Sequence, residues 1–212
     1  VTSWGIQLIS ADEITHYRND TIISLTDVDL ERLEKALSSW NITLRPDIVT
    51  VAVLDHGVAP PGESERLWRF RYLERLLQAN DTLEAFMFSE TEVPRHFTRM
   101  QAVVRTIKGK TPLVIMDTGA AAVLGASFDH VVAPHNNRLV VNLGNSHTLA
   151  FNLSGSRVLG FLEHHTSSLS QTRLENLLLS IIAGDIKRQD IWEEGGHGSL
   201  IIEKGGNPFI TV

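Results

Sequence analysis

Two predominantly apolar segments constrain the fold of this chain more than any other feature. Residues 48–54 (IVTVAVL) and 111–116 (TPLVIM) have the length of strands and lack the polar alternation of a strand with one solvent-facing side. Helical patterns with inward-facing apolar residues occupy about residues 65–78 and 96–108. Apolar strands that alternate with helices are typical of an α/β protein with parallel strand pairs. We therefore predict an α/β sheet whose strands are covered on both faces.

The pattern changes after Pro134. Three closely spaced strands are predicted at residues 139–143, 148–153 and 157–162, followed by a helix at about 170–183. A small-residue helix (AAAVLGA) precedes them. We predict a domain boundary here, with residues 1–134 as the remainder of a first α/β domain. Residues 135–212 would form the β-hairpin-plus-helix start of a second domain.

The N-terminal part of the sequence predicts one short strand and one surface helix. The strand is expected at residues 6–9. The helix signature begins at Ser24, with Thr26 as N-cap and acidic residues in the first turn. Its predicted buried stripe consists of apolar residues at helical spacing: Leu30, Leu33, Leu37 and Trp40.

Charge and composition exclude several classes of function. The formal charge of −6 comes without a block of Lys or Arg, which argues against a nucleic-acid partner. No apolar run approaches the roughly 18 residues that span a bilayer, so no membrane partner is expected. The 212 residues contain no cysteine, which removes thiolate zinc sites, a cysteine nucleophile and a cysteine-held iron–sulfur cluster. A cytoplasmic location is favoured, and a homo-oligomer is left open.

Five polar clusters lie at predicted strand ends or turns. In α/β proteins the chain leaves the sheet at such places with exposed backbone groups, which is where ligands bind. Five of the nine histidines fall in these clusters. The clusters are Asp55-His56-Gly57, Asp117-Thr118-Gly119, Asn142 to Thr148, Glu163 to Ser168, and Gly195-Gly196-His197-Gly198. This distribution predicts one pooled site.

Four residues of these clusters are the candidate catalytic residues: Asp55, His56, Asp117 and His164. Each has an alternative role. Asp117 is also placed to cap the following helix, and Asp55 with His56 to close a loop. The adjacent residues His164 and His165 should point to opposite sides of a strand.

A metal site is a second interpretation of the same clusters. A zinc site could draw on His56, His147, Asp55 and one histidine of the pair at 164 and 165, because imidazole and carboxylate suit zinc. The spacing of these residues is not diagnostic, and no H-E-x-x-H motif occurs. No residue is therefore assigned as a metal ligand. A serine hydrolase is not supported, because the sequence has no G-x-S-x-G elbow.

The turn between the strands at 139–143 and 148–153 is a candidate anion site. Gly144 and Asn145 tolerate the positive φ angles of a tight turn. Side-chain donors follow beside backbone N–H groups, a combination that holds phosphate or carboxylate. The candidate binding residues are Asn142, Gly144, Asn145, Ser146, His147 and Thr148.

The helix DTGAAAVLGA and the strand-turn-strand VVNLGNSHTLAF together resemble the second half of the actin, sugar-kinase and heat-shock chaperone ATPase superfamily. There, a hairpin of form D-x-G-x-x-x-T grips nucleotide phosphates. The matching positions here are Asn142, Gly144 and Thr148. The resemblance implies an α/β fold of actin-like ATPase (ribonuclease H-like) architecture, with an incomplete first domain and the start of a second. It also implies that this chain is a fragment.

A closer resemblance covers nearly the whole chain. It is to an uncharacterised prokaryotic family often labelled as pyruvate formate-lyase activating enzymes. The blocks that carry it are AVLDHGVAPPGES, VPRHFTRMQAV, VIMDTGAAAVLGA, NLGNSHTLAF, EHHTSSL and GGHGSL. The label implies radical chemistry on an iron–sulfur cluster held by three cysteines, and these residues include none.

The leading hypothesis is a nucleotide- or phosphate-ligand-binding protein that takes ATP with Mg²⁺, and a candidate phosphotransferase or ATPase when full length. Asn142 stands where the superfamily usually has Asp, and an amide cannot act as a general base, so binding is favoured over turnover. Two alternatives remain. One is a metal-assisted hydrolase that uses the histidine-rich turns. The other is a non-catalytic regulatory module.

Overall fold

A computed structural model describes residues 9, 11–17, 21, 26–107, 109 and 111–212. The helices of this part of the chain are α1 (Leu30–Ser38), α2 (Glu65–Ala79), α3 (Thr98–Ile107), α4 (Thr118–Ser127), α5 (Gln171–Ala183) and α6 (Arg188–Glu193). Its strands are β1 (Val49–Ala52), β2 (Met87–Ser89), β3 (Leu113–Met116), β4 (Asn137–Leu143), β5 (His147–Ser154), β6 (Arg157–His165), β7 (Gly198–Ile201) and β8 (Phe209–Thr211). Short 3₁₀ turns occur at Ala11–His16, Leu83–Phe86 and Thr166–Ser168. The predicted helices and strands after residue 45 are confirmed to within a few residues.

The first sheet has three strands in the order β1-β3-β2. β1 and β3 are parallel, with Val49 opposite Leu113 and Ala52 opposite Met116. β2 runs antiparallel to β3. The predicted α/β class with a parallel strand pair is therefore confirmed. The predicted burial of both faces holds for the central strand β3 but is wrong for β1, an edge strand whose residues alternate between partly buried and exposed.

The second sheet has five strands in the order β7-β6-β5-β4-β8. β4 to β7 pair antiparallel in sequence, and β8 returns parallel to β4. The three predicted strands form the centre of this sheet. The strands of the first sheet precede residue 134, and those of the second sheet follow it. A domain boundary at this residue stays a prediction.

Apolar residues cover both faces of the second sheet. On one face, Phe151 and Phe161 pack with Phe70 of α2, and the ring centroids of Phe70 and Phe161 are 5.1 Å apart. This cluster also contains Met116 at the end of β3, so it joins the two sheets. On the other face, Leu177 and other residues of α5 pack against β4 and β6. Helix α2 thus packs between the first sheet and the second.

Helix α1 differs from its prediction. It begins at Leu30 rather than near Thr26, and its N-cap is Asp29, whose side chain accepts a hydrogen bond from the N–H of Arg32. The predicted buried stripe is wrong, since Leu33 is 46% exposed and Trp40 is 73% exposed. The predicted strand at residues 6–9 lies almost wholly outside the described residues.

None of the helices in the described part of the chain combines the length and the apolar character that crossing a bilayer requires.

Candidate metal centre

Four side chains from separate elements meet at one point. His56 follows β1, His147 begins β5, Glu163 lies near the end of β6, and His197 directly precedes β7. One potential ligand atom of each lies within 4.8 Å of those of the others. The centroid of the His56 ring is 5.3 Å from that of His147 and 5.2 Å from that of His197. We call these four residues the four-ligand cluster.

Strand pairing explains why two of them share a face. His147 lies opposite His165 in the β5–β6 ladder, and Glu163 is two residues before His165. Because alternate residues of a strand point to the same side, His147, Glu163 and His165 face one way. The His165 ring is 5.1 Å from that of His147 and 4.7 Å from that of His197. His165 therefore borders the four-ligand cluster without belonging to it.

His164 points to the opposite face, as predicted for adjacent histidines on a strand. It is fully buried, and its Nε2 lies 3.8 Å from Oε2 of Glu194. Its Nδ1 lies 3.1 Å from the carbonyl oxygen of His165. Strand alternation thus keeps this candidate catalytic residue away from the four-ligand cluster.

Asp55 holds the loop that carries His56. Its Oδ1 accepts from the N–H of Gly57 at 2.9 Å. Its Oδ2 accepts from the N–H groups of Arg99 and Met100, at 2.8 and 2.9 Å, in the first turn of α3. Asp55 therefore satisfies N-terminal donors of α3 and closes the loop. In this structure Glu163, not Asp55, supplies the carboxylate of the four-ligand cluster.

The His56 loop also packs against an indole ring. Gly57 has φ +74°, and a Cβ built on it would come within 2.9 Å of Cζ3 of Trp68. The N–H of Val58 donates to the carbonyl of His96 at 2.9 Å. These contacts fix the direction in which the loop leaves β1.

A loop of small residues presents His197. The N–H of His197 donates to the carbonyl of Glu163 at 3.0 Å, which aligns the loop with β6. Gly196 is packed so closely that a Cβ there would lie 2.6 Å from both Cδ2 of His164 and Cγ2 of Ile191. Only glycine fits at such a distance, and the neighbouring His197 is thereby turned towards the cluster.

Arg66 of α2 clamps the same loop. Its Nη1 donates to the carbonyls of Gly195 and Gly196 at 2.6 and 2.9 Å. Its guanidinium carbon lies 4.2 Å from the centroid of the Trp192 ring, a cation–π distance. Arg66 therefore ties the carrier loop of His197 to α2.

Arg69, one turn further along α2, ties the cluster to the first sheet. It is 3% exposed. Nε donates to Oε2 of Glu163 at 3.4 Å, Nη2 to Oδ2 of Asp117 at 3.3 Å, and Nη1 to the carbonyl of Asp55 at 2.8 Å. Burial acts to lower the pKa of Arg69, but the neighbouring Glu163 and Asp117 outweigh burial, and the pKa is raised. The guanidinium is a permanent cation beside the carboxylate of the cluster.

Asp117 occupies the N-cap of α4, one of the two roles predicted for it. Its Oδ1 accepts from the N–H of Gly119 at 2.9 Å, while its Oδ2 faces Arg69. Asp117 does not reach the four-ligand cluster directly.

Burial keeps the three histidines of the cluster neutral. It is the main cause that lowers the pKa values of His56 and His147, and the nearby Arg69 lowers both further. Burial, followed by the neighbouring His147 and His56, lowers the pKa of His197 to about 3. Neutral imidazoles carry the free lone pair that metal coordination needs.

Several polar atoms of the cluster are buried without a hydrogen-bond partner among the described residues. They are Oε1 of Glu163, Nε2 of His56, and both ring nitrogens of His197. Burying unpaired polar atoms costs free energy, so each such group calls for an explanation. A cation at the point where the ligand atoms converge would take one atom from each residue, so it explains Oε1 of Glu163 and one of the two ring nitrogens of His197.

The donor set fits a divalent transition metal. Imidazole nitrogens and carboxylate oxygens bind zinc at about 2.0–2.2 Å, which places ligand atoms at most about 4.4 Å apart. The four ligand atoms lie within 4.8 Å of one another, so the side chains would have to rotate inward to bind one ion. Oε2 of Glu163 is already bonded to Arg69, leaving Oε1 for the metal.

The predicted anion-binding turn is tightly braced. The N–H of Gly144 donates to the carbonyl of His147 at 3.0 Å, so this donor belongs to the turn itself. Thr148 is fully buried, with its hydroxyl 3.0 Å from that of Thr166. Asn142 is partly buried, while Asn145 and Ser146 are exposed.

Two ligands of the cluster and its supporting arginine were missed as site residues at the sequence level. Glu163 and His197 belong to the polar clusters of the sequence but are not among its candidate site residues. Two-residue alternation with His165 could have indicated Glu163. Arg69 lies beside Phe70 on the inward face of helix α2. A charged residue at an inward position is the sequence signal that could have indicated Arg69, because buried charges need a partner.

Comparison with known proteins gives a family. No curated protein and no solved structure matches this chain. A family model described as "Putative pyruvate format-lyase activating enzyme (DUF1786)" matches residues 1–210. Since the match spans nearly all of the 212 residues, the chain belongs to the DUF1786 family.

Proposed function

We propose that the protein is a metal-dependent hydrolase in which His56, His147, Glu163 and His197 bind one divalent transition-metal ion. The observation that carries the proposal is the convergence of four ligand atoms within 4.8 Å, from residues as far apart in the chain as 56 and 197. The lowered pKa values of all three histidines support it, because they leave the imidazoles unprotonated at neutral pH. A metal bound by such ligands lowers the pKa of a coordinated water and so provides a nucleophile.

Partial exposure favours a catalytic ion over a purely structural one. His56 and His147 are only partly buried, so one side of the cluster is within reach of solvent. Glu163 and His197 are buried on the other side. Structural zinc sites are closed, whereas catalytic ones keep a position for water. Because the cluster already supplies four ligands, the water would take a fifth position, on the solvent-facing side of the ion. His165, at the border of the cluster, is placed to meet a substrate on the open side.

The test is metal content combined with cobalt binding. We expect about one metal equivalent per chain in the wild type and less than a tenth in His147→Ala and His197→Ala, since each removes a ligand. His130→Ala is the matched control, because His130 is a surface histidine with 91% of its side chain exposed. Cobalt titration of metal-free protein should give a visible absorption band only where the four ligands are intact. Equal metal content in all variants would refute the proposed site.

The chemistry named by the family description does not fit these residues. A pyruvate formate-lyase activating activity implies an iron–sulfur cluster held by cysteines, and the 212 residues contain no cysteine.

A second candidate, nucleotide or phosphate binding in an actin-like architecture, is favoured by one feature. The small-residue helix α4 leads into the β4–β5 hairpin, and its braced turn exposes Asn145 and Ser146. Calorimetric titration with Mg-ATP, ADP and inorganic phosphate tests this candidate. Absence of binding heat for all three would exclude it without affecting the metal proposal.

A further inference from the structure

Asp117 reaches the four-ligand cluster through Arg69. Asp117 is 8% exposed, Arg69 is 3% exposed and Glu163 is 1% exposed, so this row of three charges is almost wholly removed from water. The two carboxylates lie on different guanidinium nitrogens, with Nη2 bonded to Asp117 and Nε to Glu163. One buried cation is therefore shared between a helix cap and a ligand of the cluster.

Sharing of that charge makes the two carboxylates interdependent. In a buried site, electrostatic interactions are weakly screened, so a change at one partner is felt by the other. The positive charge of Arg69 interacts with the carboxylate of Asp117 as well as with that of Glu163. The negative charge of Asp117 offsets part of the positive potential of Arg69, so a cation at Oε1 of Glu163 is repelled less.

We propose that Asp117 is a positioning residue that sets the metal affinity of the four-ligand cluster by way of Arg69. The inference rests on the metal site of the proposed function and goes beyond it, since Asp117 contributes no ligand atom. Partners of ligating groups commonly change metal affinity by about 10- to 100-fold when altered. Asp117 contacts Glu163 only through Arg69, so it is one residue further from the ligand than a direct partner. We therefore expect a change in metal affinity near the low end of that range.

The variant Asp117→Asn isolates this role. Asparagine serves as an N-cap about as well as aspartate, so α4 keeps its cap through Oδ1. The amide nitrogen in place of Oδ2 cannot accept from Arg69, so the buried row loses one negative charge and the hydrogen bond that goes with it. Glu163 is then the remaining carboxylate that pairs with Arg69. We expect metal-free Asp117→Asn to bind one Co²⁺ per chain with a dissociation constant about tenfold higher than that of the wild type.

Asp29→Asn is the matched control. Asp29 also caps a helix, accepts from the N–H of Arg32 and forms an ion pair with that arginine at 3.1 Å. It lies on α1 and has no contact with the four-ligand cluster. Its variant should bind Co²⁺ with wild-type affinity, which separates an effect on metal binding from a general effect of losing a capping charge.

Arg69→Lys provides a second test that does not depend on the cap. Lysine keeps the positive charge but is a point charge that lacks the planar fork holding both carboxylates. We expect weaker Co²⁺ binding and a changed visible spectrum, because Glu163 loses its fixed orientation. If the wild type binds Co²⁺ and both Asp117→Asn and Arg69→Lys match it in affinity and spectrum, this inference is overturned while the metal site stands. If the wild type itself binds no Co²⁺, the proposed function fails and the inference with it.

Discussion

At the scale of single residues, the four-ligand cluster is a costly arrangement for a protein without metal. Three neutral imidazoles crowd together, and four of the buried ring and carboxylate atoms have no hydrogen-bond partner among the described residues. Unpaired buried groups reduce stability. The cluster therefore resembles other functional sites, where local destabilisation is tolerated because the geometry serves a ligand.

We expect the stability of the metal-free protein to fall at acidic pH because of the histidines in the cluster. The folded pKa of His197 is lowered to about 3, whereas an unfolded histidine titrates near 6.5. Between these values the unfolded state binds more protons, so the stability of the metal-free protein is fully present above about pH 6.5 and declines as the pH falls below it. His56 and His147, whose pKa values are also lowered, act in the same direction.

Denaturant unfolding of metal-free protein at several pH values measures this slope. The variant His197→Gln removes one of the titrating groups, so its stability should depend less steeply on pH. An identical slope in wild type and His197→Gln would show that His197 is not held neutral by the fold.

At the scale of elements, the sequence predicted those strands whose own residues define them. β3 and β4 to β6 are apolar over most of their length, and their pattern alone located them. β7 and β8 have only four and three residues, and pairing with β6 and β4 defines them more than their own composition does. Local pattern cannot reveal an element whose stability comes from its neighbour.

The same limit explains what could be foreseen of the candidate site. All four cluster residues belong to polar clusters that the sequence places at strand ends or turns, because histidines and acidic residues at such positions are visible locally. Which of them face one another depends on strand direction and register. The separation of His164 from His165 follows from alternation, but the partnership of Arg69 with Glu163, 94 positions apart, needed the fold.

An element-scale prediction addresses the loop before β7. A methyl group at Gly196 would lie 2.6 Å from His164 and from Ile191, so Gly196→Ala must displace the loop that carries His197. We expect a loss of about 1–3 kcal/mol in unfolding free energy, as for other overpacked sites, together with weaker metal binding.

Gly125→Ala is the matched control for this substitution. A Cβ at Gly125, within α4, meets no atom within 4 Å. Alanine in a helix interior stabilises by about 0.5–1 kcal/mol relative to glycine, so this variant should gain stability and bind metal normally. Equal behaviour of Gly125→Ala and Gly196→Ala in unfolding and metal titration would contradict the packing argument.

At the scale of the whole molecule, the cluster joins the two sheets. His56 belongs to the loop that leaves the first sheet, while the other three ligands belong to the second sheet and its edge. Arg69 reinforces the junction from α2 by holding Asp117, Asp55 and Glu163. A metal ion at the cluster would add a cross-link between segments distant in sequence.

The molecular-scale prediction is that metal raises thermal stability. A metal present at about 100 times its dissociation constant stabilises by about 2.7 kcal/mol. For a chain of 212 residues, this corresponds to a rise in Tm of about 5–10 °C. Calorimetry with Zn²⁺ and with chelator measures the difference. His147→Ala should show no such rise, and a wild-type Tm indifferent to Zn²⁺ would argue against a bound ion.

The two loops that carry His56 and His197 are each flanked by an indole. Trp68 lies against the turn at Gly57, and Trp192 stacks with Arg66, whose guanidinium grips the loop before His197. Indole emission is sensitive to its immediate surroundings, so each ring is a built-in fluorophore for one of the loops. The chain has four tryptophans, so Trp68→Phe and Trp192→Phe are each compared with the wild type to identify the part of the emission that comes from each loop. Tryptophan fluorescence can therefore follow how each loop responds when metal binds to the four-ligand cluster, without an attached dye.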